Sequence, residues 1–196
     1  MEIKATIVWQ IWSGEFMIKI AVGCGKRNYG PDWYHVDGDK SHTHLYGFDI
    51  TQLLFNNDSV DLIYASHILE YFDREEVIPV LKEWQRVLRP GGILRIAVPN
   101  FMIMAKLYMD GRYQLKDFLG PLYGRMQMDD KWIYHKTCYD AQDLFELLSS
   151  IGMKKLRRYN WWETEHKDID DCASAYLPKM DKENGILISL NVEAEK

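Results

Sequence analysis

The stretch SVDLIYASHILE (residues 59–70), followed by EWQRVLRPGG (residues 83–92), decides the fold of this chain. Residues 60–65 are a short, mostly apolar run, which predicts a buried strand. Residues 93–98 (ILRIAV) predict a second buried strand after the Pro-Gly-Gly stop. The residues between these two strands therefore form a crossover, and a helix is expected within it.

The helix in this crossover is predicted from its cap and its apolar face. Asp73 is the predicted N-cap, and Glu76 completes a capping box three residues later. Pro79 lies inside the pattern, where a proline kinks a helix or delays its start, and Pro90-Gly91-Gly92 is the predicted stop. Six apolar residues recur at helical spacing and predict one buried face: Val77, Val80, Leu81, Trp84, Val87 and Leu88.

Three short strand patterns precede the deciding stretch, over residues 18–22, residues 33–37 and the neighbourhood of Phe48-Asp49-Ile50. The segment from Gly25 to Trp33 is shorter than the dozen or so residues that a helical crossover needs. The segment from Asp37 to Asp49 is also too short for a full helix. We therefore expect the helices between the first three strands to be lost or reduced.

The second half of the chain is predicted to complete the sheet. Residues 101–109 predict a helix, and Asp140 is the predicted N-cap of another helix that Gly152 ends. Residues 153–159 and 186–193 predict a final pair of strands, the last with one more polar face. Four breakers predict a long irregular stretch between the two helices: Gly111, Gly120, Pro121 and Gly124.

Together these patterns predict an α/β fold. Its sheet is doubly wound and mostly parallel, with about six to seven strands and a C-terminal antiparallel strand. We expect residues 17–196 to form a single domain that follows an N-terminal arm, residues 1–16. Met17 immediately precedes the first strand pattern, so Met1 and Met17 are alternative starts.

Glycine and acidic residues follow the predicted strands at the ends where ligands bind such sheets. Gly23-Cys24-Gly25 closes the first strand and lets a ligand approach the backbone closely. Asn28 stands where a dinucleotide fingerprint has its third glycine, which argues against a nicotinamide cofactor. Asp37 ends the second strand, where it either accepts hydrogen bonds from ribose hydroxyls or forms a turn before Gly38.

Two further pairs of residues lie at predicted strand ends. Asp49-Ile50 offers an acid for the exocyclic amine of adenine and an apolar surface for its ring. Ser66-His67 follows the fourth strand and is expected to face the same cleft. His67 either contacts the ligand there or is structural.

These blocks resemble the class I S-adenosylmethionine-dependent methyltransferases of the type 11 group. The resemblance implies a Rossmann-like fold and S-adenosylmethionine as the cofactor. Two positions depart from the family pattern, because Ala21 replaces an acid and Arg27 replaces the third glycine. Five blocks carry the resemblance, and residues 135–152 add to it more loosely: residues 22–25, 33–37, 49–55, 59–70 and 83–92.

The resemblance also implies roles for the residues at the strand ends. Gly23-Cys24-Gly25 would cradle the methionine part of the cofactor, and Asp37 would hold its ribose. Asp49-Ile50 would hold the adenine. Ser66-His67 would face the methionine part or the methyl acceptor.

Methyl transfer to a small polar acceptor is the function expected from this pattern. The catalytic base is not identified: His67, His135 and His166 are candidates by residue type. Asp170 and Asp171 are candidates by their place in an acidic, aromatic loop, residues 161–183. We expect some of the aromatic residues of the less regular segments to cover the acceptor: Tyr123, Tyr134, Trp161, Trp162 and Tyr176.

Two alternatives stay open at this point. The short crossovers and Ala21 fit a non-catalytic binding or scaffold protein that kept the fold. A cleft above Gly23 that is plugged by Tyr29 or Trp33 favours the scaffold, whereas an open cleft with Asp37 facing in favours the enzyme. A nicotinamide oxidoreductase is the weaker alternative, because its glycine fingerprint is incomplete.

Composition narrows the expected partners. The formal net charge of −5 argues against a general nucleic-acid binder, and no apolar run reaches the ~18 residues of a membrane span. Three scattered cysteines form no CxxC pair and no Cys/His cluster with zinc spacing, which predicts no metal site. They also favour a reducing, cytoplasmic compartment. The oligomeric state is not predicted.

Overall fold

The computed structural model describes residues 17–42, 45–47, 49–128 and 130–196. The predicted N-terminal arm, residues 1–16, lies outside the described residues. The helices are α1 (Val77–Val87), α2 (Phe101–Met109), α3 (Leu115–Tyr123) and α4 (Ala141–Ser150). The strands are β1 (Lys19–Val22), β2 (Trp33–Val36), β3 (Val60–Ser66), β4 (Leu88–Pro99), β5 (Met126–Met128), β6 (Lys131–Ile133), β7 (Lys154–Arg158), β8 (Tyr176–Leu177), β9 (Ile186–Leu187) and β10 (Ser189–Glu195).

A six-stranded sheet in the order β2-β1-β3-β4-β10-β7 forms the centre of the fold. Strands β1 to β4 pair in parallel. Strand β10 is antiparallel to both β4 and β7. The predicted mostly parallel sheet with an antiparallel C-terminal strand is therefore confirmed.

The predicted cap of α4 is present, whereas the predicted capping box lies just before α1, whose N-cap is Glu76 and not Asp73. Asp140 Oδ1 accepts a hydrogen bond from the backbone N of Asp143 at 3.0 Å and caps α4. The Asp73 and Glu76 side chains make the reciprocal bonds of a capping box, at 2.8 and 3.0 Å. The regular part of α1 begins only at Val77, because Pro79 has no N–H and fits best in a first turn. Helix α1 also ends earlier than predicted, since β4 already begins at Leu88.

The connections between β1, β2 and β3 are short, as the sequence predicts. Among the described residues no helix lies between β1 and β2 or between β2 and β3. The prediction of a third strand near Phe48-Asp49-Ile50 is wrong. It is reduced to one parallel bridge between Val36 and Gly47, and Phe48 lies outside the described residues. Aromatic rings cover the sheet instead, with Tyr29 and Trp33 on one face and Tyr34, Tyr46 and Phe55 on the other.

The predicted irregular stretch between α2 and α4 contains a helix and a hairpin. Gly120 and Pro121 lie within α3 instead of breaking the chain. Phe118 of α3 is buried in a small core with Met104 and Leu107 of α2, and this packing outweighs poor helix propensity. Gly124 then ends α3 in the left-handed conformation, and β5 and β6 pair as an antiparallel hairpin.

The predicted last strand, residues 186–193, is in fact two strands. β9 pairs with β8, and β10 pairs with β4. The polar face of β10 is buried, with Ser189, Asn191 and Glu193 at most 5% exposed. Residues 161–175 lie over this face, where Asn191 Nδ2 donates to the Ala173 carbonyl at 2.9 Å. None of the described helices is long and apolar enough to cross a bilayer.

Candidate active site

A cavity of about 920 Å³ lies at the carboxyl ends of β1, β2 and β3. This volume is near the upper end of the ~300–1,000 Å³ that small-molecule pockets occupy. Its described lining comes from three parts of the chain. These are the strand-end residues Gly23, Asp37–Gly38 and Asp49–Thr51, side chains between Ile68 and Val80, and side chains between Met126 and Lys136.

Gly23 forms the turn at the end of β1. Its φ of +63° is a conformation that L side chains rarely adopt, and its N donates to the Val36 carbonyl at 2.8 Å. A Cβ at this position would lie 2.0 Å from Cγ1 of Ile68. Glycine therefore allows the end of β1 to pack directly against the segment that follows β3.

Asp37 presents an oriented carboxylate to the cavity. Its Oδ2 accepts from the backbone N of Gly25 at 2.7 Å, and its Oδ1 accepts from the backbone N of Asp39 at 2.8 Å. Each oxygen of an ionised carboxylate can accept a second hydrogen bond. Asp37 is thus a turn-forming residue that also lines the cavity.

Helix α1 holds the segment that carries Asp49 and Ile50. Trp84 Nε1 donates to the Ile50 carbonyl at 2.7 Å, and Glu83 Oε1 accepts from the backbone N of Leu53 at 2.9 Å. The Arg86 guanidinium donates to the carbonyls of Leu53 and Phe55. It also pairs with Glu83, and hydrogen bonds from Arg86 hold the pKa of that carboxyl below its usual value. A segment without regular structure is therefore fixed at the cavity by side chains of α1.

The β5–β6 hairpin forms the wall opposite the strand ends. Met126, Met128 and Trp132 line the cavity from this hairpin, and the Arg125 guanidinium lies 3.6 Å from the centre of the Trp132 ring. The base of the hairpin is tied down at both ends. Tyr71 Oη donates to the Gly124 carbonyl at 2.6 Å, and the backbone N of His135 donates to the Tyr123 carbonyl at 2.9 Å.

A buried polar cluster made of His67, Glu70 and His135 lies at the junction of the strand ends and the hairpin. Glu70 Oε1 lies 3.6 Å from His67 Nδ1 and 3.6 Å from His135 Nε2. Burial raises the pKa of Glu70 to about 8 and lowers the pKa of His67 to about 3. Burial also lowers the pKa of His135. The three groups are therefore uncharged at neutral pH.

The structure brings five of the predicted site residues to one cavity: Gly23, Asp37, Asp49, Ile50 and His135. The other five are not among the described residues that line it: Cys24, Gly25, Ser66, His67 and His166. The Cys24 side chain packs in a core cluster, and burial raises its pKa to about 12. Gly25 acts through its backbone N, which orients Asp37.

The acidic loop, residues 161–183, contributes none of the described residues that line this cavity. His166 packs against Tyr64 with ring centres 4.0 Å apart, and burial lowers its pKa to about 4. Asp171 accepts from the hydroxyls of Tyr29 and Tyr64 at 3.0 and 2.6 Å. This loop packs on the sheet face that carries Ala21, Leu62, Tyr64 and Ala97. Tyr134 alone of the five predicted aromatic residues is among the described lining residues.

Sequence reasoning missed Glu70, Gly124 and the hairpin. Glu70 stands at the end of the deciding stretch, but its surroundings come from distant segments. Gly124 is required because a Cβ there would lie 1.8 Å from His135 Nε2. Residues 126–128 (MQM) alternate between apolar and polar, but this run is too short to distinguish a hairpin strand from a loop.

A family model described as a methyltransferase domain matches residues 21–96. The match spans the Gly23 turn, Asp37, the Asp49–Ile50 segment and Glu70. This chain is a class I methyltransferase-fold protein. The match supports S-adenosylmethionine as the cofactor of this fold.

Solved structures share the methyltransferase fold over nearly the whole chain. A SAM-dependent methyltransferase from Archaeoglobus fulgidus has a TM-score of 0.55 at 13% identity, over 99% of this chain and 93% of that chain. One from Methanosarcina mazei has a TM-score of 0.56 at 17% identity, over 96% of each chain. No curated protein matches the chain in sequence.

A third similar structure contains ligands. It is the 1,6-didemethyltoxoflavin-N1-methyltransferase of Burkholderia thailandensis with bound 1,6-didemethyltoxoflavin and S-adenosylhomocysteine. Its TM-score is 0.52 at 13% identity, over 98% of this chain and 76% of that chain. At such identities the similarity shows the fold alone.

Proposed function

We propose that this chain is a S-adenosylmethionine-dependent methyltransferase that acts on a small-molecule acceptor. The supporting observation is the cavity at the strand ends, with Gly23, Asp37 and Asp49–Ile50 on its wall. The methyltransferase-domain match over residues 21–96 supports the same cofactor.

The residues at the cavity fit this cofactor. Gly23 lines the cavity with backbone atoms alone, and its lack of a side chain makes room for Ile68. Asp37 has two oriented oxygens with acceptor capacity for ribose hydroxyls. Asp49 is beside the apolar Ile50, which suits an exocyclic amine and a flat ring.

When bound, S-adenosylmethionine supplies a methyl group that its sulfonium already activates. The chain then has to bind the cofactor and the acceptor, orient them towards each other and exclude water. Asp37 and Asp49 fix the nucleoside end, and the hairpin side chains Met126, Met128 and Trp132 cover the cavity. Holding two reactants in line can lower a barrier by several kcal/mol without any acid or base.

None of the three candidate histidines is assigned as the proton acceptor. His135 is at the cavity wall, but its Nδ1 interacts with the Pro121 carbonyl at 3.0 Å and its Nε2 faces Glu70. His67 interacts with Ser189 and Glu70. His166 packs against Tyr64 and is not among the described residues that line the cavity. Positioning is therefore the contribution that we assign to this chain.

The acceptor that we propose differs from the small polar molecule expected from sequence. That expectation rested on the acidic loop, which contributes no described residue to the lining of the cavity. The part of the cavity beyond the strand ends is aromatic and rich in methionine, with Tyr71, Phe72, Met128, Trp132 and Tyr134. Such a surface suits a small molecule with a flat or apolar body that carries a nucleophilic oxygen or nitrogen.

A non-catalytic scaffold with a plugged cleft is not favoured. Tyr29 and Trp33, the residues that would plug it, are buried in the core cluster on the other face of the sheet. The cavity beside Gly23 and Asp37 is therefore free of both rings.

A crystal structure with bound S-adenosylhomocysteine, paired with transfer of a labelled methyl group to a panel of aromatic alcohols and amines, tests this function. We expect the ribose at Asp37, the adenine at Asp49–Ile50, and labelled product with at least one aromatic acceptor. Asp37→Asn should abolish most of that labelling, whereas Asp168→Asn, at an exposed position of the distant loop, should not. Density for the ligand at any other place on the chain would contradict the proposal.

A further inference from the structure

The tautomers of His67 and His135 follow from their fixed hydrogen-bond partners. Asn191 Nδ2 donates to the Ala173 carbonyl at 2.9 Å, so its Oδ1 is the acceptor for the Ser189 hydroxyl at 2.8 Å. The hydroxyl proton is then used, and His67 Nε2, at 3.1 Å from Ser189 Oγ, has to carry the proton of that contact.

The tautomer of His135 is fixed by a backbone carbonyl. Its Nδ1 lies 3.0 Å from the Pro121 carbonyl oxygen, which can only accept, so Nδ1 carries the proton. In the neutral rings the lone pairs are then on His67 Nδ1 and His135 Nε2. These two atoms both lie 3.6 Å from Glu70 Oε1.

A carboxylate between two lone pairs is an unfavourable arrangement. Glu70 is fully buried, and neither of its oxygens has a hydrogen-bond partner among the described residues. A proton on Oε1 removes the conflict, because the acid can donate to either lone pair. The rise in the pKa of Glu70 to about 8 through burial agrees with this arrangement.

We propose that Glu70 is held as a neutral acid and is a positioning residue of the cofactor cavity. It joins His67, beside the strand ends, to His135, at the base of the hairpin that covers the cavity. Loss of its proton places a charge against two lone pairs and loosens the hairpin. This proposal rests on the proposed function, since it predicts that cofactor binding weakens when the proton is lost.

Other titratable groups near the cluster do not supply a competing charge. Burial raises the pKa of the Tyr71 hydroxyl to about 12, and it also raises the pKa of the Tyr139 hydroxyl and the Cys172 thiol. All three therefore stay neutral over the range in which Glu70 titrates. Arg27 is the cation that interacts with His67, and it favours the neutral imidazole.

Nitrogen-15 NMR of the histidine rings tests the protonation state on the wild-type chain without cofactor. At pH 7 we expect neutral His67 protonated on Nε2 and neutral His135 protonated on Nδ1. A cationic ring at either position would mean that Glu70 is ionised, and it would overturn the proposal.

Titration of S-adenosylhomocysteine by calorimetry between pH 6.5 and 9 tests the positioning role. We expect about tenfold weaker binding by the wild type at pH 9, a typical size for coupling between two sites. Glu70→Gln, which can still donate to a lone pair, should keep the tighter affinity throughout. Glu75→Gln, at an exposed position, should follow the wild type. The same pH dependence in Glu70→Gln as in the wild type would overturn the role.

Hydrogen exchange of residues 126–133, corrected for its intrinsic pH dependence, distinguishes failure of this proposal from failure of the proposed function. Exchange should rise above pH 8 in the wild type and stay level in Glu70→Gln. Absence of S-adenosylhomocysteine binding at every pH contradicts the proposed function, while the exchange and the tautomers still decide the role of Glu70. Unchanged exchange in the wild type would overturn it.

Discussion

Single residues at the strand ends combine a structural task with a place on the cavity wall. Gly23 makes the turn after β1 and meets Ile68, while Asp37 ties Gly25 and Asp39 together and still faces the cavity. The sequence could predict these residues because their position depends mainly on where a strand ends. It could not predict the role of Glu70, because that role depends on Pro121 and Ser189, which are distant in sequence.

Gly23→Ala should destabilise the chain more than Gly111→Ala. Both glycines have φ near +65°, at +63° and +67°, but a Cβ at Gly111 meets nothing within 4 Å. The left-handed conformation alone costs about 1–2 kcal/mol for alanine, and the contact with Ile68 should add about 1–3 kcal/mol. Urea unfolding of both variants measures the difference. Equal losses of unfolding free energy would show that Ile68 does not restrict position 23.

Asp37→Asn should weaken S-adenosylhomocysteine binding by about 10- to 100-fold, the range expected when a hydrogen bond to a charged group is lost. The amide keeps the shape of the side chain but offers one acceptor atom in place of two. Calorimetry measures the affinity, and thermal unfolding checks that the turn is intact. Asp168→Asn is the matched control, and an Asp37→Asn affinity equal to that control would remove Asp37 from the site.

Helices and strands could be predicted where spacing and caps in the local sequence determine them. They could not be predicted where contacts with distant segments determine them. Helices α2 and α4, the capping box before α1 and the parallel strands follow from spacing and caps in the sequence. Helix α3 was missed because Gly120 and Pro121 are breakers in isolation, and only burial of Phe118 stabilises the helix. The third strand was wrongly predicted because a short apolar run does not show whether a neighbouring strand pairs with it.

Arg86→Ala should loosen the segment that carries Asp49 and Ile50. Arg86 donates to two carbonyls of this segment and pairs with Glu83. We expect a loss of about 1–3 kcal/mol of unfolding free energy, together with weaker cofactor binding. Arg89→Ala removes an arginine of the same region that is half exposed and pairs with Asp61, and it should cost at most ~1 kcal/mol. Equal effects of the two variants would contradict the role of α1 in holding this segment.

At the scale of the whole molecule, the two sheet faces have different coverings. Helices α1 and α4 pack on one face, and residues 161–175 pack on the other, over the polar side of β10. This arrangement buries histidines and a glutamic acid in uncharged form. The unfolding free energy of the chain should therefore fall both when the pH is lowered and when it is raised.

The unfolding free energy should be greatest near pH 6.5. The folded pKa of His67 is lowered to about 3 and that of His166 to about 4, from 6.5 when unfolded. Their contribution is therefore present above pH 6.5 and is lost as the pH falls towards these values. The folded pKa of Glu70 is raised to about 8 from 4.5, so its contribution is greatest below 4.5 and is lost as the pH rises through 8.

Urea unfolding from pH 4 to pH 9 measures this dependence. Glu70→Gln should remove the decline on the alkaline side, and His166→Gln should reduce the decline on the acid side. A Glu70→Gln profile parallel to that of the wild type above pH 6.5 would show that Glu70 does not titrate in this range.

Calorimetric titration of the wild-type chain with S-adenosylhomocysteine at pH 7 tests the proposed function most directly. The cavity beside Gly23, Asp37 and Asp49–Ile50 predicts one site per chain, with a dissociation constant of about 1–100 µM. Absence of binding up to about 1 mM, a free energy weaker than ~4 kcal/mol, would contradict it.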